Sequence, residues 1–187
     1  RIQNYLYSFY AKDIKTAREN EIYDCLCRYL MEIVGKKWVD TKKIKEGYEV
    51  YILSFEYLPG RFLGNVIYKL DLESEIRSAL NEMGFSYENI LKHDPEPDLG
   101  IADMGIGSSY LINELSNKKI KATAYALRYE SGNFKQVIKD GMQRAETSSW
   151  LKNGSNWEHR KSFTNEIEIY GKKHKTITYD MPVISDN

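Results

Sequence analysis

The chain has 187 residues, enough for one ordinary domain with a real core and short for two. Its 27 basic and 27 acidic side chains cancel to a formal net charge of zero, so no global field exists to attract nucleic acid or an anionic membrane surface. With 42% hydrophobic and 29% charged residues the composition excludes a disordered chain, and the longest apolar runs, Val50 to Phe55 and Ile120 to Leu127, fall far below the roughly 20 residues of a bilayer-spanning helix.

In chain order, Arg1 to Asp13 mixes aromatic and polar residues and shows no secretory signal, although a chain opening on Arg leaves room for a removed leader. From Ala17 to Val34 the apolar positions Ile22, Leu26, Tyr29, Leu30 and Ile33 recur at helical spacing, and Gly35 is expected to end or bend that helix. After the polar run Lys42 to Gly47, Tyr48 to Phe55 reads as a buried strand, broken by Pro59-Gly60. Leu63 to Tyr68 and Leu72 to Met83 read as helices, the second closed by Gly84. Asp94-Pro-Glu-Pro-Asp98 must be a loop, because two prolines oppose both helix and central strand. Leu99 to Gly107 is a glycine-rich loop feeding a helix that carries Tyr110, Leu111, Ile112 and Leu115, and Ile120 to Leu127 is a further strand. That order suggests an α/β sheet with crossovers. Phe134 to Ile138 and Met142 to Glu146 flank Asp140-Gly141 as a hairpin, and Phe163 to Tyr170 and Lys175 to Tyr179 flank Gly171-Lys172 as another. The sequence stops at Asp186-Asn187 with no closing helix, so the sheet looks unfinished.

Gly100, Gly105 and Gly107 precede a helical segment, where unpaired N–H groups and the helix dipole favour an anion. Their spacing, G-x-x-x-x-G-x-G, matches neither the dinucleotide fingerprint nor the P-loop, and a tight turn packing a helix on a sheet fits better. Asp103 would repel a phosphate and reads instead as a helix cap. Glu56 with Arg61, and Arg128 with Glu130, are candidate ion pairs positioning the turns after two strands. Trp38, Trp150 and Trp157 could stack on sugars, but burial is commoner for so few tryptophans. Cys25 and Cys27 lack the second ligand pair of a structural zinc site, and i, i+2 spacing points them to separate helix faces, so they read as reduced thiols with one in the core. His93, His159 and His174 show no metal spacing and read as surface or turn residues.

Several ordered motifs resemble one family. Val50-Tyr-Ile-Leu-Ser-Phe-Glu-Tyr-Leu-Pro-Gly-Arg61 is similar to the α-glucan phosphorylase segment Y-L-S-L-E-[FY]-x-M-G-R, and Leu127-Arg-Tyr-Glu-Ser-Gly-Asn-Phe-Lys-Gln136 to its I-R-Y-E-x-G-x-F-x-Q. Asp140-Gly-Met-Gln, Trp150-Leu, Asn153-Gly, Asn156-Trp-Glu158 and Tyr179-Asp-Met-Pro182 resemble D-G-W-Q, W-L, G-N-P-W-E and Y-D-x-P, in the same order. The stretch from Gly100 to Arg128 aligns without a gap to the part opening with G-N-G-G-L-G-R-L. The similarity spans roughly residues 17 to 183.

The resemblance implies an α/β fold: a partial Rossmann-like first lobe of a GT-B type glycosyltransferase, with N-terminal helices over 1–47, an α/β part over 48–187 and C-terminal β-hairpins. The family removes a terminal glucosyl unit from an α-1,4-glucan with inorganic phosphate, giving glucose 1-phosphate. Its pyridoxal phosphate sits on a lysine of the second lobe, which this sequence lacks, so the chain alone is expected to bind no cofactor and to supply no catalytic residue. The cofactor-facing loop positions are Gly100, Ala102, Asp103 and Gly105. Ala102 and Asp103 stand where the family has glycines, Ile106 where it has an arginine, and Met104 where it has a sugar-contacting leucine. The parent is therefore expected to be impaired or a pseudoenzyme. Expected partners are α-glucan and a second subunit, as homodimer or with a full-length chain, and the expected location is cytoplasmic. The competing expectation is a non-catalytic glucan-binding or subunit-pairing module, and uncovered sheet edges predict self-association.

Overall fold

The longest element is set by its apolar spacing: helix α2, Glu19–Lys43, buries Ile22, Cys25, Leu26, Leu30 and Val34. These coordinates are a computed structural model that describes residues 1–44 and 47–185; Lys45 and Glu46 of the polar run, and Asp186-Asn187, lie outside the described residues. Glu21 secures the start of α2, since its carboxylate accepts from the Arg18 N–H at 2.8 Å and pairs with Lys12 Nζ at 2.6 Å. Gly35 does not end the helix. The chain runs through it without positive φ, and the last turns are held by Lys42 Nζ, 3.9 Å from the Trp38 ring centroid, and by the Trp38–His159 ring contact at 5.5 Å.

Ahead of α2, α1 (Ile2–Tyr5) continues into a π-helical turn, Leu6–Tyr10, whose Leu6 is fully buried. Because α2 packs against this turn and against two later helices, Cys25 and Cys27 are both buried, not one alone. Burial pushes the Cys25 thiol up to about 11 and holds the Cys27 thiol well above its ordinary value, which suits inert packing groups.

Strand β1 (Val50–Leu53) is followed by helices α3 (Phe62–Lys69), α4 (Glu73–Glu82), α5 (Tyr87–Lys92) and α6 (Asp103–Asn117), then strand β2 (Ala122–Tyr125). β1 and β2 pair in parallel from Val50↔Ala122 to Leu53↔Tyr125, so the four helices form the crossover. Helix α5 has no long apolar period to announce it and depends on a local cap, the Ser86 hydroxyl accepting from Asn89 N–H at 3.3 Å. β1 is not buried as its β-branched and aromatic residues suggest. Tyr51 is 58% and Leu53 80% exposed, since among the described residues this sheet has only two strands and one face lacks cover.

Two antiparallel hairpins follow, β3 (Phe134–Lys139) with β4 (Met142–Thr147), and β5 (His159–Ile169) with β6 (Lys172–Asp180). The first turns at Asp140-Gly141, as expected, and the second at Tyr170-Gly171, one residue earlier than its glycine suggests; both turn residues have positive φ in each case. Among the described residues no helix is long and apolar enough to cross a membrane.

One buried carboxylate ties these parts together. Asp94, 2% exposed, accepts from Leu63 N–H at 2.7 Å, Tyr23 O–H at 2.9 Å and Trp157 Nε1–H at 3.4 Å. It thus joins the start of α3, the second turn of α2 and the segment ahead of β5. Asp94→Ala leaves three donors without an acceptor, and urea denaturation should show a loss of roughly 3 kcal/mol. Burial, the largest cause, raises the Asp94 carboxyl above its ordinary 3.8 despite these donors. A raised folded value binds the proton more tightly when folded, so this contribution to stability is full below the ordinary value and lost as pH rises through the raised one. The difference in stability between wild type and Asp94→Asn across an acid pH series should show that slope.

Candidate functional site

Where β1 ends, the chain turns beneath the glycine loop and is stitched to it. Tyr57 N–H donates to the Leu99 carbonyl at 3.0 Å, Leu58 N–H to the Gly105 carbonyl at 2.9 Å, and Ser108 Oγ to Ser54 Oγ at 2.9 Å. Between these contacts Glu56 turns its side chain into the loop. Its Oε2 accepts from the backbone N–H of Ile101 at 3.2 Å and of Ala102 at 3.0 Å. A carboxylate of the protein itself therefore holds the amides that a bound anion would have used.

The glycines make room for this arrangement. Gly100 has φ 153°, and a Cβ there would lie 2.6 Å from Glu56 Cβ. At Gly105 a Cβ would lie 2.9 Å from Leu58 Cγ and 3.1 Å from Glu56 Cβ, whereas Gly107 faces open space. The tightest position is Gly132, in the Arg128-Tyr-Glu-Ser-Gly segment, where a Cβ would stand 2.0 Å from the Asp98 carbonyl oxygen. Gly132 thus lets the stretch before β3 lie directly on the loop.

Helix α6 begins at Asp103, with Ala102 as its N-cap and no side chain capping it. Asp103 is therefore not the cap; it is the first residue of the first turn, where its charge complements the positive helix end. Ala102, Asp103 and Met104 are exposed, Met104 by 63%, while Gly100 and Gly105 are buried. With Glu56 on two amides, a second carboxylate at Asp103 and no Lys or Arg between Leu99 and Gly107, the folded loop does not fit a phosphate group.

The other expected pairs are rearranged. Among the described residues Glu56 serves the loop and makes no ion pair with Arg61. Arg128 makes no ion pair with Glu130 among the described residues and instead forms a two-pronged pair with Glu158, at 2.9 and 2.7 Å, with the Tyr179 ring 4.0 Å and the Trp150 ring 5.6 Å from its Cζ. That guanidinium gathers three of the ordered motifs, and the pairing raises its already high pKa. Trp150 and Trp157 are buried and Trp38 half-buried, so none offers an open stacking platform. His93 pairs with Glu19 at 3.3 Å, and no cluster of three metal-ligating side chains occurs among the described residues.

Sequence reasoning assigned neither Glu56 as loop filler nor Gly132 as loop support. Both sit inside family-like segments, which is the signal that could have singled them out.

The geometry defines a mixed α/β protein built around a glycine-opened junction between a parallel β–α–β unit and a helix. Comparison with known proteins is consistent with this: a family model described as Carbohydrate phosphorylase matches residues 80–183. The chain is 30% identical to the glycogen phosphorylase of Synechocystis sp. over 90% of its own length, 29% identical to the human liver form over 89%, and 26% identical to that of Bacillus subtilis over 92%. It covers 22%, 20% and 24% of those relatives, between a fifth and a quarter of their length. The chain belongs to the carbohydrate phosphorylase family.

Gly132→Ala should cost about 3 kcal/mol in urea denaturation, since backbone must move to admit the methyl. Gly107→Ala, in a helix interior with open space, should be neutral or gain roughly 0.5–1 kcal/mol.

Proposed function

We propose that the chain corresponds to the first-lobe part of an α-glucan phosphorylase-like protein and does not phosphorolyse glucan by itself. In this reading residues 48–187 are a partial Rossmann-like lobe of the GT-B type, residues 1–47 are its helical lead-in, and the setting is the cytoplasm. The whole protein's reaction would be removal of a terminal glucosyl unit from an α-1,4-glucan by inorganic phosphate, giving glucose 1-phosphate. The lysine that holds pyridoxal phosphate, which supplies the proton-transfer phosphate in that family, would lie in a second lobe.

The observation that carries the inactive reading is the first turn of α6, where Asp103 adds negative charge and no Lys or Arg stands between Leu99 and Gly107; Glu56 falls on the family motif's own glutamate and does not bear on it. It does not depend on how the family string G-N-G-G-L-G-R is laid on the chain. Opened at Gly100, the string puts Asp103 on a glycine and Ile106 on the arginine. Shifted by two residues, it matches as many glycines, puts Asp103 on the asparagine and Met104 on a glycine, and Ser108 on the arginine. In either register a side chain replaces a glycine in the first turn of α6 and the loop's cation is missing. Of the loop positions Gly100, Ala102, Asp103, Met104 and Gly105, Met104 is the one exposed side chain suited to apolar contact with a sugar face.

A second reading, a non-catalytic module that binds glucan or pairs with another subunit, is favoured by the exposed tyrosines Tyr51 and Tyr125, stacked at 6.3 Å on the uncovered sheet. Purified chain incubated with α-1,4-glucan, inorganic phosphate and added pyridoxal phosphate should release no glucose 1-phosphate above a protein-free control. Product above that control would refute the inactive reading. Retarded migration in a glucan-containing native gel, without turnover, would favour the second.

A further inference from the structure

The segment between the two hairpins is fixed at both ends by buried tryptophans. Trp150 donates its Nε1–H to the Tyr129 carbonyl at 3.1 Å. Trp157 donates to Asp94 and stacks on the Phe62 ring at 5.8 Å, and Glu158 beside it holds Arg128. Between these anchors the chain comes out to solvent in a turn, Lys152 N–H donating to the Ser149 carbonyl at 3.0 Å and Gly154 N–H to the Leu151 carbonyl at 2.9 Å. Asn153 and Gly154 stand exposed at its tip. We propose that Asn153 is a site of self-modification, where the chain's own backbone converts the side-chain amide to aspartate and isoaspartate. The inference is independent of the phosphorylase reading.

The step needs only water. The Gly154 amide nitrogen gives up its proton to hydroxide and attacks Cγ of Asn153. The N–Cγ bond forms, the Cγ–Nδ2 bond breaks, and Nδ2 leaves as ammonia, so that a five-membered cyclic imide remains. Water then opens the ring at either carbonyl. Opening at Cγ gives aspartate with the backbone unchanged, and opening at the main-chain carbonyl gives isoaspartate, in which the backbone runs through the side chain and is one atom longer.

Position singles out Asn153 for this chemistry. No other asparagine in the sequence is followed by glycine, and a following residue without Cβ leaves the approach of its nitrogen unobstructed. Gly154 has φ 76°, and nothing lies within 4 Å of the place a Cβ would occupy. Its bond to the Leu151 carbonyl holds the nucleophile, so the reaction runs through opening of this exposed turn, a local event that leaves the helical core intact. Asn156, three residues on, is half-buried and followed by Trp157, whose N–H is taken by Ser155 Oγ at 3.3 Å. The two products differ in consequence. Aspartate adds a charge at an exposed position, whereas isoaspartate adds a backbone atom between Trp150 and Trp157 and strains one anchor or the other.

The test is to age the purified full chain in mildly alkaline buffer and digest it with trypsin. Cleavage after Lys152 and Arg160 releases Asn153 and Asn156 in one peptide, so the second serves as internal control. Mass spectrometry should find Asn153 converted and Asn156 intact, with conversion faster at higher pH because the deprotonated amide is the nucleophile. Asn153→Gln, which would have to close a six-membered ring, should lose the conversion. The isoaspartate form, separated by chromatography, should melt at a lower temperature than fresh chain, while Asn153→Asp should melt with the wild type. Asn153 unchanged after ageing, equal conversion at Asn156, or an isoaspartate form as stable as the fresh chain would each overturn the proposal, as would Asn153→Asp melting as low as the isoaspartate form.

Discussion

The architecture depends on satisfying one carboxylate in a place without water. Asp94 follows α5 directly, at the start of a proline-stiffened loop, and its acceptor oxygens are filled by an amide of α3, a phenol of α2 and an indole ahead of β5. Each donor comes from a segment distant in sequence, so the contact is made only when the helices and the later chain have come together. The prolines after Asp94 then hand the backbone to the glycine loop in a fixed direction. Loop position is in this sense a consequence of helix packing.

That handover explains the loop. Leu99 and Gly105 carbonyls are taken by the segment after β1, the Asp98 carbonyl lies against Gly132, and Glu56 closes the interior by accepting from two amides. The glycine positions that are tight are tight against this chain's own atoms. A loop of this composition could in principle cradle an anion at a helix start. Here the partial charges of the backbone are balanced internally, and Asp103 sets the sign of the exposed end.

The uncovered surfaces have a common origin. A parallel pair such as β1–β2 normally has both faces covered, and two-stranded hairpins normally join larger sheets. Here Leu53, Ile138 and Tyr170 remain open to solvent. The helical half buries its apolar residues on itself, through α2, α3 and α5, while the sheet half leaves many of its own exposed. This asymmetry leaves the strands, not the helices, as the less covered part of the described structure.

The sequence alone determined what depends on local periodicity and turn chemistry. The span of α2 through Leu30, the helices around Ile67 and Leu80, the Asp140-Gly141 hairpin and the ordered motifs that carry the family resemblance were all legible, because helical spacing and positive-φ demands are written in neighbouring residues. Gly35 does not end the helix, because a helix held by contacts such as Trp38 with His159 tolerates a glycine that propensity disfavours. The partners of charged groups were not legible. Glu56 has Arg61 five residues away and bonds to amides 45 and 46 residues away, and Arg128 passes over Glu130 for Glu158. Only the tertiary structure decides such choices, because the strength of an ionic or hydrogen-bonded contact is set by distance and burial after folding, and neither is a property of the local sequence.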